Sequence, residues 1–389
     1  MQIIYIVYRE DNTMVFNSQV LEYLSLLKND YKVNLYLFRN HETFFKKEEV
    51  EKKISGFLNN FITFSSLPPL TFLQLNLDAI RLKMSIESKF KKDEPLLIHC
   101  RGELSTYIAH KAFKDFTNKK ILFDNRGLPV EELDFRGKNN LIYSLNKRVK
   151  KNAVLYAKDN CDIYSFVTNN LRDYLLENYN YSTERKYFIV PTLNSYHNLE
   201  EGQLAEIKKE INYNPKNFYL IYIGSVAAWQ SINSLFDVFL SIKTEINSAK
   251  LLILTNGRIS VPHLIKDDVS IRSVKYDQVK YYLNLSDLGL VIRNNSIVNK
   301  VAAPTKIAEY LSQNVPILYD GEIGVIDDLI AAFGKSDFIK LSQKDWIDKV
   351  KNLYHNKQYK EIKSTYQDYF DMATNQRIIL EKIKNEFKQ

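Results

Sequence analysis

The chain has 389 residues, 45% hydrophobic and 26% charged, the proportions of a folded soluble protein and too long for one ordinary core, so two domains of near-equal size are expected. Lys plus Arg outnumber Asp plus Glu by 54 to 46, which favours anionic partners such as nucleotide phosphates or acidic lipid headgroups. Nucleic acid is disfavoured because no zinc spacing, helix-turn-helix pattern or aromatic-basic RNA motif occurs, and no uncharged apolar run reaches the roughly 18 residues that span a bilayer.

Gln2–Tyr8 (QIIYIVY) lacks a basic n-region and gives way at once to polar residues, so it reads as a first strand and not as a secretory leader. Further short runs rich in Ile, Val, Tyr and Phe predict strands over Val33–Phe38, Phe61–Phe64, Leu96–Cys100, Ile121–Asp124, Ile163–Val167 and Tyr187–Val190. Between them Phe16–Lys28, Phe72–Phe90, Glu103–Phe116 and Tyr143–Lys158 carry apolar residues at helical spacing. The polar stretch Pro191–Leu199 interrupts this rhythm and is the expected interdomain linker. Strands resume at Phe218–Ile223, Leu251–Thr255, Ser270–Ser273, Leu288–Ile292, Pro316–Tyr319 and Phe338–Lys340, with helices over Ile232–Ile246, Tyr276–Leu285 and Thr305–Ser312. Alternating βα units predict an α/β protein of two Rossmann-like, doubly wound parallel-sheet domains whose strand ends face a central cleft. The expected boundaries are 1–195 and 196–365, with a helical segment 366–389 returning to the first domain. Cys100 and Cys161 have no C-x-x-C partner and suit buried thiols in a reducing cytoplasm.

The segment Arg293–Leu318 (RNNSIVNKVAAPTKIAEYLSQNVPIL) is the most informative. A strand ends at Ile292, a polar loop follows, and Pro304 suits the opening turn of a helix whose N-terminus is directed to the strand ends. Free N–H groups and the positive dipole end suit a diphosphate, Arg293 and Lys306 add charge, and Glu309 can accept hydrogen bonds from sugar hydroxyls. Thr305 opens the same helix beside Lys306. Gly224, ending a strand in YIGSVAAWQ, lets backbone approach a phosphate, and Ser225 adds a small donor. In the first half His99 and Arg101, then Asp124, Arg126 and Glu131, follow successive strands, where polar side chains meet substrates. His99 reads equally as a satisfied buried histidine, and Asp124 with Arg126 as an ion pair that fixes a loop.

APTKIAEYLSQNVPIL resembles the P-x-K-x-x-E-Y-L-x-x-G-x-P stretch of family 4 glycosyltransferases, retaining GT-B enzymes that build bacterial capsules, exopolysaccharides and O-antigens. The resemblance implies a nucleoside-diphosphate sugar donor, UDP- or GDP-linked, a saccharide or lipid-linked saccharide acceptor, and Glu309 on the donor ribose. It departs at Val301, where the family's E-x7-E form has an earlier glutamate, and at Asn314, where it has glycine. IHCRGE and FDNRGLPVEE are similar to H-x-R-G and F-D-x-R-G stretches of such enzymes, which implies a catalytic His99 and acceptor contacts from Arg101, Asp124, Arg126 and Glu131. By the same resemblance Asn256, Gly257 and Val274 stand at strand ends that meet the nucleotide base through backbone atoms, and Asn17 belongs to the loop that meets the acceptor.

Sugar transfer requires stabilisation of the departing diphosphate, and Arg293, Lys306 and the helix N-terminus fit that task without a metal. No D-x-D stretch points to a metal-dependent transferase, and no cofactor is implied beyond the donor. Two other readings stay open: a nucleotide-sugar epimerase of the same fold, and a silent nucleotide-sugar-binding subunit, which Val301 keeps in view. Basic runs at Lys46–Lys53, Lys83–Lys92 and Lys147–Lys151 suit peripheral contact with anionic lipid at the inner face of the cytoplasmic membrane.

Overall fold

The computed structural model describes residues 1–10, 13–40, 56, 58–135, 137, 140–194, 199–224, 232–356 and 364–387. Two compact units emerge, one of Met1–Pro191 with Met372–Gln389 and one of Thr192–Asp371. Lys46–Lys53, Ser225 and Gln230 lie outside the described residues.

The first unit holds a seven-stranded parallel sheet of β1 (Gln2–Tyr8), β2 (Lys32–Arg39), β3 (Asn60–Ser65), β4 (Leu96–Arg101), β5 (Lys119–Asn125), β6 (Ile163–Phe166) and β7 (Tyr187–Ile189), in the order β3-β2-β1-β4-β5-β6-β7. The second holds six parallel strands, β8 (Phe218–Ile223), β9 (Ala249–Leu254), β10 (Val269–Arg272), β11 (Leu288–Val291), β12 (Ile317–Tyr319) and β13 (Phe338–Lys340), in the order β10-β9-β8-β11-β12-β13. Both are doubly wound sheets, so the order reverses between β1 and β4 and between β8 and β11. At such a reversal the connecting helices diverge to opposite faces and leave a crevice outside the strand carboxyl ends.

Central strands read as continuous apolar runs because both faces are covered: β4, β8 and β11 are buried along their whole length. In β8 the pleat sends Tyr219 and Ile221 into one core and Phe218, Leu220 and Tyr222 into the other. In the first unit the helices Phe72–Glu87 and Leu141–Asp159 flank Glu103–Ala112, whose Tyr107 ring meets Phe72 at 5.1 Å and Tyr156 at 4.6 Å.

Three features differ from expectation. The helix after β1 begins at Thr13 and runs through a π-helical turn, Asn17–Leu21, into Glu22–Leu27, so Asn17 lies in a helix and not in a loop. Pro304 is the N-cap and Thr305 the first helical residue, because its ψ of 131° is extended. The C-terminal helical stretch breaks at Asp371, which pairs with Asn194, giving Ser364–Phe370 in the second unit and Met372–Asn385 in the first.

Candidate functional site

In the second unit, β8 and β11 flank the reversal of strand order; Gly224 directly follows β8, and Arg293 is the second residue after β11. Gly224 has φ 155°, a conformation that side-chain-bearing residues rarely adopt. Arg293 is buried, and its Nη1 donates to Asn299 Oδ1 at 2.7 Å. Asn299, with no exposed surface, also donates through Nδ2 to Asn294 O at 2.9 Å, while its own N–H reaches Ser296 Oγ at 3.3 Å. One amide thus ties the polar loop to the helix Ile297–Lys300 and aims the guanidinium. Arg293 Nε is buried with no hydrogen-bond partner among the described residues. Gly321 allows the approach of the next loop: at its φ of 80° a Cβ would stand 2.9 Å from Arg293 O.

Lys306 lies in the first turn of Thr305–Ser312, a helix whose N-cap residue, Pro304, offers no side-chain cap. Its ammonium sits 4.3 Å from the centre of the Tyr222 ring on β8, a cation–π contact. Burial pushes Lys306 well below the ordinary lysine value, Arg293 pushes the same way, and Glu309 opposes both. Burial also brings Arg293 down to about 10, with Tyr222 opposing. Two neighbouring basic side chains are thus sheltered from water, an arrangement that costs stability until a negative charge is placed beside them.

The helix is held by Tyr310, whose hydroxyl accepts from Ile223 N at 3.0 Å and lies 3.3 Å from Ile221 O. Its ring covers Gly289 on β11, where a Cβ would come within 2.4 Å of a ring carbon. At the other end Asn194 Nδ2 donates to Ser312 Oγ at 3.0 Å, and Thr192 Oγ1 donates to Ala303 O at 2.6 Å just before the helix. Glu309 is buried on the same helix and lines a hollow with Asn194, Tyr276, Lys280 and Ser312. Val301 is buried and apolar, so no carboxylate stands at that position.

At the ends of the neighbouring strands β9 and β10, Ser273 Oγ donates to Asn256 Oδ1 at 2.6 Å and Gly257 N donates to Thr255 Oγ1 at 3.1 Å. Val274, half-buried, packs against the core beneath. The strand order therefore brings Gly224, Asn256, Gly257, Val274, Arg293, Pro304, Thr305, Lys306 and Glu309 to one edge of one sheet or to the helix bordering it.

In the first unit the register pairs Arg101 with Asp124, so the two polar stretches meet. Asp124 Oδ2 lies 3.4 Å from His99 Nε2 and 4.0 Å from Arg101 Nη1, and Oδ1 lies 3.6 Å from Arg126 Nη1. Burial raises the Asp124 carboxyl, but Arg126, His99 and Arg101 outweigh it and hold it well below the carboxylate range. His99 Nδ1 is 3.3 Å from Tyr23 OH and its ring packs at 4.4 Å on Tyr5. Arg101 Nε donates to Glu10 at 2.8 Å, and Arg126 Nη2 to Gln19 at 3.2 Å. Glu131 Oε1 accepts from Tyr174 OH at 3.0 Å and Tyr179 OH at 2.9 Å, joining two helices. Asn17 is partly exposed in its helix. Tyr222, Gly289 and Tyr23 are site neighbours that the sequence did not single out, since each acts across distant chain segments and no local spacing marks it; Asn299, six residues from Arg293, was within local reach and not picked out.

No protein-family model and no curated protein matches the chain. Solved structures do. A glycosyltransferase from Rickettsia africae superposes with a TM-score of 0.70 at 15% identity, over 100% of this chain and 98% of that one. Sucrose-phosphate synthase from Thermosynechococcus elongatus gives 0.66 at 12% identity, over 99% and 100%. Anabaena HepE in complex with UDP gives 0.65 at 10% identity, over 99% and 100%. The chain has the GT-B fold, two parallel α/β Rossmann-like sheets, as in glycosyltransferases. Among the described residues no helix is long and apolar enough to cross a membrane.

Proposed function

We propose that the protein is a glycosyltransferase that moves a sugar from a UDP- or GDP-linked donor to a saccharide or lipid-linked saccharide acceptor in bacterial surface polysaccharide synthesis. The observation that carries this reading is the pair of buried basic side chains, Arg293 and Lys306, at the strand reversal of the second unit, on and beside a helix that opens at Pro304 with no side-chain cap from that residue. Such a site has its positive charge in place before the diphosphate departs, the condition for stabilising a leaving anion without reorganisation. The two cations and the helix end supply the charge that a metal would otherwise bring.

Thr192–Asp371 is then assigned as the donor domain and Met1–Pro191 with Met372–Gln389 as the acceptor domain. Lys306 and Arg293 hold the diphosphate, Glu309 the ribose, and the backbone at Asn256, Gly257 and Val274 the base, with Gly224 and Ser225 near the phosphates. His99, Arg101 and Arg126, at the corresponding reversal of the first sheet, are assigned to the acceptor side, with Asp124 as the carboxylate that orients them. The bond from the anomeric carbon to the diphosphate breaks with its electron pair on phosphate oxygen. The acceptor oxygen bonds to that carbon from the same face, and its proton passes to the departing phosphate, which retains configuration. The fold of Anabaena HepE, which holds UDP, supports the donor class.

Thermal stabilisation by a panel of UDP-, GDP-, ADP- and CDP-sugars, followed by a donor-hydrolysis assay, tests the reading. A selective shift with release of free sugar is expected. Isomerised donor would make the protein an epimerase, and binding without turnover a silent subunit.

A further inference from the structure

The helix Phe72–Glu87 carries Leu73, Leu77, Ile80 and Met84 at positions that share one face, and they are 68, 49, 54 and 70% exposed. The stripe runs about 16 Å along the axis. Helical rotation is locked by the opposite face, where Leu75, Leu82 and Ile86 enter the core. Between them the wholly buried Asp78 accepts from Tyr8 OH at 2.8 Å, Ser66 Oγ at 2.9 Å and Arg81 Nη1 at 2.9 Å. The apolar stripe is therefore a fixed outward surface on which four apolar side chains lie side by side instead of singly. Leu67, 63% exposed, precedes it. In the same helical layer the helix Leu141–Asp159 opens with exposed Leu141 and Ile142.

The polar residues around these patches are chiefly basic. Arg81 and Lys83 flank the stripe, Lys89, Lys91 and Lys92 follow it, and Lys147, Arg148, Lys150 and Lys151 follow Leu141. Acidic groups are interspersed and several are paired: Asp78 is internal, Asp115 and Glu87 lie 2.6 and 3.6 Å from Lys83, and Asp134 pairs with Lys147, while Lys89, Lys91, Lys92, Arg148 and Lys151 outnumber Asp93 and Glu94. Apolar side chains centred on a face with cations at its rim match an anionic bilayer surface, in which leucines enter the acyl boundary while lysines reach phosphates. A second copy of the same face would bring the two basic rims together.

We propose that this helical layer of the first unit docks on an anionic bilayer, with Leu73, Leu77, Ile80 and Met84 as the inserting residues. The proposal rests on the reading above only for what the bilayer would deliver, a lipid-linked acceptor; docking itself needs no sugar transfer. The full chain should float with vesicles of equal phosphatidylcholine and phosphatidylglycerol, and less with phosphatidylcholine alone. Leu77→Glu combined with Ile80→Glu should lower partitioning roughly a hundredfold, with melting temperature and UDP or GDP binding unchanged, since both residues are exposed. Lys91→Glu with Lys92→Glu should weaken binding mainly at low salt. The proposal is overturned if the wild type is not retained by the anionic vesicles at low salt, if the double glutamate variant binds like wild type, or if lipid-free protein is a dimer that this variant dissociates. Nucleotide binding by lipid-free protein is scored separately, so a failed donor reading and a failed docking reading give different results.

Discussion

Lys306 and Glu309 lie three residues apart on one buried helix, yet substitution should separate them cleanly. Lys306 is held below its ordinary value by burial and by Arg293. The unfolded chain therefore binds more protons here than the folded one, and apo stability should rise with pH from the depressed folded value towards the ordinary lysine value of about 10.4. Below that window the full penalty is present. Lys306→Met, which keeps much of the volume and removes the charge, should raise apo stability at neutral pH by about 1–3 kcal/mol, with the gain shrinking in alkali. The same substitution should abolish turnover, because a charge that grips the departing phosphate is gone. Denaturant titrations at neutral and alkaline pH, beside donor hydrolysis, check both halves; a destabilised apo variant would show that Lys306 is structurally compensated. Glu309→Gln should instead weaken nucleoside diphosphate binding by about 1.5–3 kcal/mol through loss of a charge-assisted hydrogen bond, read by calorimetry. Unchanged affinity in the folded variant would remove the ribose role.

At the scale of elements, the position of the helix Thr305–Ser312 depends on two residues from separate strand–helix units. The Tyr310 ring lies where Gly289 has no side chain, and its hydroxyl serves the end of β8. Gly289→Ala would place a methyl group inside the ring's contact distance, so it should destabilise the second unit by about 1–3 kcal/mol and, by displacing Lys306, weaken nucleotide binding as well. Melting curves and calorimetry on one preparation check this; full affinity with lowered stability would mean the helix relaxes without moving its N-terminus. This dependence also marks what the sequence could reveal. Strands such as Ile3–Tyr8 and Phe218–Ile223 were legible because a doubly covered strand is apolar throughout, and Thr305–Ser312 because a proline and a strand end bracket it. Helices Glu201–Glu210 and Trp346–His355, polar on their outer faces, were not singled out. Arg293, Lys306 and Glu309 could be placed near a strand end from local spacing alone. That Tyr222 lies under Lys306 and that Arg101 meets Asp124 depend on strand order and register, which no single segment encodes.

For the whole molecule, the division into units sets one further expectation. The first unit is discontinuous, completed by Met372–Gln389, while Thr192–Asp371 is continuous. The final helix, Met372–Asn385, buries Leu380 and Ile383 almost completely. It packs near the helix Glu22–Leu27, and Arg377 lies 3.4 Å from Asp30 while Lys186 pairs with Glu386. Those ion pairs are partly exposed and contribute little, so the buried apolar side chains of Leu380, Ile383 and Met372 dominate, at about 1.5–3 kcal/mol each. Ending the chain at Asp371 should therefore destabilise the first unit by about 4.5–9 kcal/mol, a large fraction of a domain's stability, while the second keeps its sheet, Lys306 and Glu309. Hydrogen exchange on the truncated chain should show protection lost in β1 and β2 and retained in β8 and β11, with nucleotide binding near that of the full chain. Leu380→Ala with Ile383→Ala should reproduce the pattern more mildly. Equal loss of protection in both sheets would mean that the units fold as one cooperative block, and the boundary at Asp371 would then describe packing without describing stability.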